Sequence, residues 1–128
     1  MKDNMRTLVG IDGSDHSLWA LIEAINVTKR FSGFLKVIIV YNQGKEEEAK
    51  KIRQKTEQYL EREKINCELS AILGSNPSRA LVNTAKHENF DLIVVGSRGL
   101  GSAAAFFLGS ISKKVVSDAH CDVLVVKK

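Results

Sequence analysis

DLIVVGSRGLGSAAAFFLGSIS, residues 91–112, is the stretch that decides the fold. Its four apolar residues Leu92–Val95 are followed by Gly96, a pattern typical of a short strand buried on both faces. Gly96 and Gly99 allow a sharp turn and a close approach to a ligand, since neither carries a Cβ. From Ile111 the apolar residues recur with helical spacing. The stretch therefore predicts a strand, a Gly-x-x-Gly turn, a nine-residue loop and a Gly-Ser pair that opens a helix.

The glycine turn and the helix start together suit a polyphosphate. Backbone N–H groups point outward at both places, and the helix dipole adds partial positive charge. Ser110, which follows Gly109, supplies a hydroxyl that either caps the helix or binds a phosphate oxygen. An ordinary glycine-rich turn would explain Gly-x-x-Gly alone, but the added Gly-Ser pair after a buried strand favours a phosphate site.

The sequence Gly96-Ser-Arg-Gly99, nine further residues and Gly109-Ser110 resemble the G-x2-G-x9-G-[ST] signature of the nucleotide-binding universal stress proteins. At the C-terminus, LGSISKKVVSDAHCDVLVVKK is similar to that family's last helix and strand. At the N-terminus, VGIDGSDHS is similar to its first strand and Asp-Gly-Ser turn. The middle of the chain matches only by pattern. The resemblance implies a Rossmann-like α/β fold that binds ATP, ADP or AMP with Mg²⁺.

The composition indicates one soluble globular domain over residues 1–128, with 44% apolar and 27% charged residues. No apolar run approaches the ~20 residues that span a bilayer, and the MKDNMR start lacks a following apolar segment, so we expect a cytoplasmic protein. The net charge of +4 invites a nucleic-acid interpretation, but acidic and basic residues mix in the densest charge run, Lys45–Lys64. We therefore expect neither nucleic acid nor a membrane as a partner.

Strands alternate with helices along the whole chain. Short apolar runs predict strands at Arg6–Ile11, from Phe34 or Leu35 to about Tyr41, at about Asn66–Leu73, at Asp91–Val95 and at Val123–Val126. Periodicity and capping residues predict helices from Ser14 to near Phe31, at about Lys45–Glu63, from Pro77 to about Glu88 and at about Ser110–Asp118. This alternation implies an open five-stranded parallel sheet with helices on both faces, in the order 3-2-1-4-5, which the resemblance also implies.

The first helix has a simple apolar stripe. Ser14 is its predicted N-cap, and Leu18, Leu21, Ile22 and Ile25 follow the i, i+3, i+4, i+7 spacing of one helix face. We predict that these four side chains are buried against the sheet.

A ligand cleft is expected over the carboxyl ends of the first and fourth strands, where the strand order reverses. Asp12 follows the first strand, and from there its carboxylate can hold Mg²⁺ on phosphates or accept a bond from a sugar hydroxyl. Alternatively, Asp12 has only a structural role and forms the turn before Gly13. By resemblance, Asp12 matches the family's aspartate at the nucleotide.

The resemblance also implies that the ends of the first and second strands hold the base and the sugar. The matching positions are Gly10, Ile11, Asp12, Tyr41 and Asn42. Gly10 stands where the family often has proline, which loosens the turn, and Asn42 stands where an apolar residue often faces adenine. Val95 and Ile111, which flank the glycines, match apolar family positions that pack on the nucleotide.

The remaining residues near the glycines give weaker signals. Arg98 either contacts a phosphate or is a solvated loop arginine, and both interpretations stay open. His16 is expected on the surface of the first helix, and Ser97 and Ser102 lack a visible base partner for nucleophilic catalysis. The apolar loop 100–108 is expected to pack on its own subunit or on a partner.

Several enzyme classes are disfavoured by missing motifs. No Gly-x4-Gly-Lys-[Ser/Thr] occurs, and no Gly-x-Gly-x-x-Gly follows the first strand, which disfavours P-loop and dinucleotide-binding enzymes. The third strand ends in Ile72-Leu73-Gly74, without the aspartate of a phosphoacceptor receiver. The first loop lacks the His-x-Gly-His element of related nucleotidyltransferases.

Two functions remain. The first is an ATP-binding regulatory or stress-response module, with at most slow ATP hydrolysis. The second is a stress protein that binds no nucleotide and acts through its dimer and an unidentified protein partner. The strand Val123–Val126 lies at the sheet edge, and the resemblance implies that it pairs with its counterpart in a homodimer.

Overall fold

The computed structural model describes residues 2–97 and 109–127, in which strands and helices alternate. The strands are β1 (Arg6–Ile11), β2 (Phe34–Tyr41), β3 (Asn66–Leu73), β4 (Leu92–Gly96) and β5 (Asp122–Val126). The helices are α1 (Asp15–Arg30), α2 (Glu46–Glu61), α3 (Pro77–His87) and α4 (Ser110–Asp118). Each predicted element is present, and its predicted bounds differ from the observed ones by two residues at most.

The five strands form one parallel sheet in the order β3-β2-β1-β4-β5, as predicted. β1 pairs with β2 up to Ile11 opposite Ile39, and with β4 up to Val9 opposite Val94. Continuing the second register by two residues places Ile11 level with Gly96. The carboxyl ends of the central strands therefore finish together at one edge of the sheet.

The helices cover both faces of the sheet and give it two cores. Leu8 belongs to the core beneath α3 and α4, and Val9 to the core beneath α1 and α2. Neither side chain is exposed at all. This alternation explains the continuous apolar run of β1, because a central parallel strand buries both of its faces. Among the helices of the described residues, none is both long and apolar enough to cross a membrane.

The buried face of α1 differs from the predicted stripe. Leu21 and Ile25 are buried, but Leu18 is 41% exposed and Ile22 is half-buried. The buried residues of the helix are Ser17, Ala20, Leu21, Ala24, Ile25 and Thr28. Small side chains occupy this face because α1 lies close against β1 and β4. The prediction weighed hydrophobicity and overlooked side-chain size, which decides how closely a helix approaches a sheet.

An ion pair between a buried lysine and an exposed glutamate lies at the opposite end of the sheet from the carboxyl ends of the strands. Lys36 on β2 is 8% exposed, and its Nζ lies 2.9 and 3.0 Å from the two carboxylate oxygens of Glu88. Glu68 on β3 is a more distant partner, at 4.0 Å from the same nitrogen. Glu88 is the C-cap residue of α3, so the pair fixes the end of that helix over the sheet. A buried ammonium without a carboxylate would be costly, which makes Glu88 necessary.

Replacing Glu88 by glutamine is expected to lower the free energy of unfolding by about 1–2 kcal/mol, because Lys36 then stays buried with only the more distant carboxylate of Glu68 as a charged partner. Lys36→Met removes the buried charge together with the pair and is expected to cost less. Glu57→Gln is the matched control, since Glu57 pairs with Arg53 on the exposed surface and such pairs contribute about 0.5 kcal/mol or less. Urea unfolding followed by circular dichroism measures all three. Equal losses for Glu88→Gln and Glu57→Gln would contradict the prediction.

Candidate functional site

The carboxyl ends of β1, β2 and β4 lie side by side at one edge of the sheet. Asp12 follows β1 and Asn42 follows β2, while β4 ends at Gly96. The backbone N–H of Gly109 donates to the carbonyl of Ser97 at 2.6 Å, so the start of α4 reaches the same edge. The structure therefore brings together the predicted residues of the three strand ends and of the last helix, and the cleft lies where the strand order reverses.

Asp12 forms the turn that joins β1 to α1. Its Oδ1 accepts a hydrogen bond from the Ser14 N–H at 2.9 Å, and its own N–H donates to Ser17 Oγ at 3.2 Å. Gly13 has a φ of +86°, in the left-handed region that favours glycine. Ser14 caps α1 as predicted, since its Oγ accepts from the Ser17 N–H at 3.2 Å. The carboxylate of Asp12 is thus held in one orientation, half-buried at the cleft.

Gly10 lies within β1, opposite Ile38 of β2, and not in the turn. A Cβ at this position would lie 3.0 Å from a terminal carbon of Leu81, which is buried on α3. The expectation that Gly10 loosens the turn is therefore wrong. Gly10 instead makes room for Leu81 to pack on the central strand.

Gly96 lies directly beneath the first turn of α1. A Cβ at this position would lie 2.5 Å from the carbonyl oxygen of His16 and 2.7 Å from the carbonyl carbon. Real Cβ atoms do not approach backbone atoms so closely. Glycine is therefore required here by helix packing, in addition to any role in approaching a ligand.

The apolar residues that flank the glycines differ in accessibility. Val95 is 3% exposed, and its side chain belongs to the core beneath α3 and α4, together with Leu81 and Val115. Ile111, in the first turn of α4, is half-buried and packs at the border of the same core. Of the two predicted contacts, Ile111 is therefore the side chain with accessible surface at the helix start.

The end of β2 continues directly into the turn that leads to α2. The carbonyl of Tyr41 accepts from the Gly74 N–H at 2.9 Å, and its half-buried ring packs against the core beneath α1 and α2. Asn42 is exposed, and its carbonyl accepts from the Lys45 N–H at 3.0 Å. The side-chain amide of Asn42 therefore stands at the surface beside the strand ends.

Backbone hydrogen bonds hold the junction between β4 and α4. The N–H of Ser97 donates to the carbonyl of Val126 on β5 at 2.9 Å, and the carbonyl of Ser97 accepts from Gly109. The hydroxyl of Ser112 donates to the Gly96 carbonyl at 2.5 Å. The end of β4 is thereby tied to β5 on one side and to α4 on the other. The sequence analysis missed the role of Ser112, which follows the Gly-Ser pair by two residues.

Ser97 and His16 form a contact that the sequence analysis also missed. Ser97 Oγ lies 3.2 Å from His16 Nδ1, and the His16 ring stands edge-on to Trp19 with centroids 4.8 Å apart. His16 is half-buried, so the expectations of a surface histidine and of a serine without a base partner are both wrong. Ser97 is 6% exposed, and its backbone groups are both hydrogen-bonded. We interpret the pair as a contact that holds the first turn of α1 against the end of β4.

The start of α4 lacks a side-chain cap, which was one of the two roles considered for Ser110. Gly109 is the N-cap residue and Ser110 is the first residue of the helix, where its side chain is exposed and forms no capping hydrogen bond. By contrast, Ser14 caps α1 and Asn76 caps α3 through their side-chain oxygens. The first turn of α4 also contains no acidic residue. Its first N–H groups therefore have no partner within the helix and carry the positive end of the dipole.

Two parts of the predicted site are not described. Arg98, Gly99 and the loop 100–108 lie outside the described residues. Within the described ranges, no group of three or more His, Cys, Asp or Glu side chains is arranged to hold a metal ion. Asp12, the predicted Mg²⁺ ligand, is therefore not part of such a group among these residues.

Three comparisons relate the chain to known proteins. Residues 4–127 match the model of the universal stress protein family. A universal stress protein of Thermus aquaticus is 36% identical over 138 residues, which cover 94% of this chain and 96% of that protein. The structure of the universal stress protein UspA from Lactobacillus plantarum has a TM-score of 0.85 and 25% identity, and covers 98% of this chain and 99% of its own. A universal stress protein crystallised in complex with cAMP has a TM-score of 0.82 and 29% identity, and covers 98% of each chain.

The packing of α1 on Gly96 predicts the effect of adding one methyl group. Gly96→Ala is expected to destabilise the fold by about 2–4 kcal/mol, because its Cβ meets the rigid backbone of His16. Gly74→Ala is the matched control, since a Cβ there would lie 3.7 Å from Val40, at ordinary contact distance. Urea unfolding of both variants measures the difference. A cost for Gly96→Ala as small as that for Gly74→Ala would show that α1 does not press on β4.

Proposed function

Because the chain belongs to the universal stress protein family, we propose that it is a nucleotide-dependent regulatory module of the stress response, which binds ATP, ADP or AMP in the cleft. The observation that carries this proposal is the uncapped start of α4, which two hydrogen bonds, from Gly109 and from Ser112, attach to the end of β4. The relative that was crystallised with cAMP supports an adenine nucleotide as the ligand class.

The donor set at the start of α4 fits a phosphate. The N–H groups of Ser110 and Ile111 point away from the helix, and the exposed Ser110 hydroxyl stands beside them. A phosphate would take the place of the missing cap and of the missing acidic side chain. In this proposal Arg98 and Gly99, from the sequence signature, contact the same phosphates.

The strand ends provide the rest of the proposed site. The backbone at Gly10 and Ile11 and the carboxylate of Asp12 stand where the sugar would lie, and Asp12 Oδ1 is oriented by the Ser14 N–H. Tyr41 and Asn42 stand at the end of β2, where the base would lie. Asn42 offers an exposed amide there, so we propose that polar contacts replace the apolar contact that is frequent in the family.

Mg²⁺ would be held jointly by Asp12 and by the phosphates. A carboxylate oxygen is a ligand that Mg²⁺ prefers, and Mg²⁺ is commonly bound through one or two carboxylates and substrate phosphates. Bound Mg²⁺ would neutralise part of the phosphate charge. The proposal is binding with at most slow hydrolysis of ATP.

A first test is to denature the freshly purified protein, identify any released nucleotide by mass spectrometry and titrate ATP with Mg²⁺ by calorimetry. The native chain is expected to release or bind an adenine nucleotide. Ser110→Pro is expected to weaken ATP binding about tenfold, because proline removes one N–H donor and fits the first helical position. Gly109 precedes it with φ −65° and ψ 163°, a conformation that proline tolerates in its neighbour.

Ser110→Ala is the matched control, because it removes the hydroxyl and keeps the backbone N–H. It is expected to weaken ATP binding less than Ser110→Pro does. A folded Ser110→Pro variant with the affinity of the native chain would show that the start of α4 does not hold phosphate. A native chain that neither carries nor binds an adenine nucleotide would overturn the proposed function.

The edge strand β5 favours a homodimer as the proposed assembly. The Val126 carbonyl points toward β4, where it accepts from Ser97. Backbone direction alternates along a strand, so the N–H and carbonyl of Val125 point toward the open edge. The run Asp122–Val126 is rich in valine and would favour association at an unpaired edge. We propose that β5 pairs with β5 of a second copy.

Val125→Pro is expected to convert the dimer to a monomer, because it removes an edge N–H donor without removing a bond to β4. Light scattering coupled to size-exclusion chromatography measures the mass, and circular dichroism checks that the variant is folded. Val116→Thr, at an exposed position of α4, is the control for a change of surface hydrophobicity and is expected to stay dimeric. A folded Val125→Pro variant that remains a dimer would exclude this interface.

A further inference from the structure

A groove between α3 and α4 adjoins the proposed phosphate site. It encloses about 400 Å³, which is within the range of small-molecule sites. One wall is the first two turns of α3 with the loop before it, and the other is one face of α4 from Ser110 to Asp118. The residues that line the groove include Asn76, Arg79, Ser110, Ile111, Lys114 and Asp118.

The groove is continuous with the proposed nucleotide site. Ser110 and Ile111 line its upper end, and they are also the residues whose N–H groups open α4. Lys114 lies one helical turn further along α4 than Ser110, on the same face of the helix. An anionic ligand held at the start of α4 therefore has a path along the groove toward Lys114.

Within the described part of the chain, two cationic side chains of the groove have no anionic partner. Neither Arg79 nor Lys114 forms an ion pair with any described residue. This includes Asp118, which lies one further turn along α4 than Lys114. Between them, the guanidinium and the ammonium provide two positive charges against the single carboxylate of Asp118 at the far end. The end of the groove nearest the cleft is therefore positively charged.

Asn76, which lines the groove with these cations, offers a hydrogen-bond donor to a ligand. Asn76 Oδ1 already accepts from the Arg79 N–H at 3.1 Å and from the Ser78 hydroxyl at 2.9 Å. Its amide NH₂ group is therefore the part of the side chain that serves a ligand, and it can only donate. The Asn76 amide donates hydrogen bonds, and Arg79 and Lys114 are cations without acidic partners among the described residues. Such groups bind the oxygens of a phosphate chain.

We propose that this groove receives the phosphates beyond the α-phosphate of the bound nucleotide, and that Arg79 and Lys114 bind them. The inference rests on the proposed function, because it needs a nucleotide at the start of α4. It adds a specificity: the chain prefers adenine nucleotides with a polyphosphate to the monophosphate. Arg79 and Lys114 set this preference, while Asp12 and the strand ends hold the nucleoside.

The test is to titrate the full chain with adenosine, AMP, ADP and ATP by calorimetry and to repeat the titrations with an Arg79→Gln, Lys114→Gln double variant. The native chain is expected to bind ATP more tightly than AMP. The double variant is expected to lose about tenfold in ATP affinity and less than twofold in AMP affinity. Its ATP affinity should also depend less on salt, because the variant lacks two cations whose attraction to phosphate is screened by salt.

Lys86→Gln is the control for the loss of one surface charge, to be compared also with each single variant, because Lys86 is exposed in the last turn of α3, away from the groove. It is expected to leave both affinities unchanged. A double variant that keeps the native ratio of ATP to AMP affinity would overturn this inference while leaving the proposed function in place. A native chain that binds none of the four compounds would overturn the proposed function itself.

Discussion

The close packing of α1 on the end of β4 is the constraint on which the rest of the site depends. Because Gly96 has no side chain, the first turn of α1 lies directly against its backbone. That contact brings His16 to Ser97, at 3.2 Å between Nδ1 and Oγ. It also explains why Ser17, Ala20 and Ala24 are among the buried residues of α1, since a helix that lies close to the sheet favours small side chains where the two backbones approach.

The elements and their order could be predicted from the sequence because their signals are local. Apolar runs, the Asn76-Pro77 helix start and the glycines at turns each act within a few residues, and parallel strands with crossover helices allow few topologies. The meeting of the strand ends could be predicted for the same reason, since Asp12 follows one and Gly96 ends the other of the two strands between which the order reverses.

The residues that were predicted wrongly depend on distances between elements, which no local pattern gives. Gly10 was interpreted as part of a turn, but it is a glycine because Leu81 of α3 packs on β1. For Ser110, residue type left a helix cap and a phosphate contact both open, and the structure excludes the cap because Gly109 occupies that position. The sequence contains every residue of these contacts, yet the choice among them is made by how closely two backbones approach.

The uncapped start of α4 has an energetic consequence for the proposed function. A missing side-chain cap costs about 1 kcal/mol of helix stability, and a bound phosphate would offset that cost while it binds. The same segment is attached through Ser97 to both α4 and β5, because the Ser97 carbonyl accepts from Gly109 and its N–H donates to Val126. Ordering α4 would therefore also stabilise the last residues of the edge strand. If both proposals hold, nucleotide binding and pairing at the β5 edge would be coupled through one short backbone segment, which would be a physical route from ligand to partner surface.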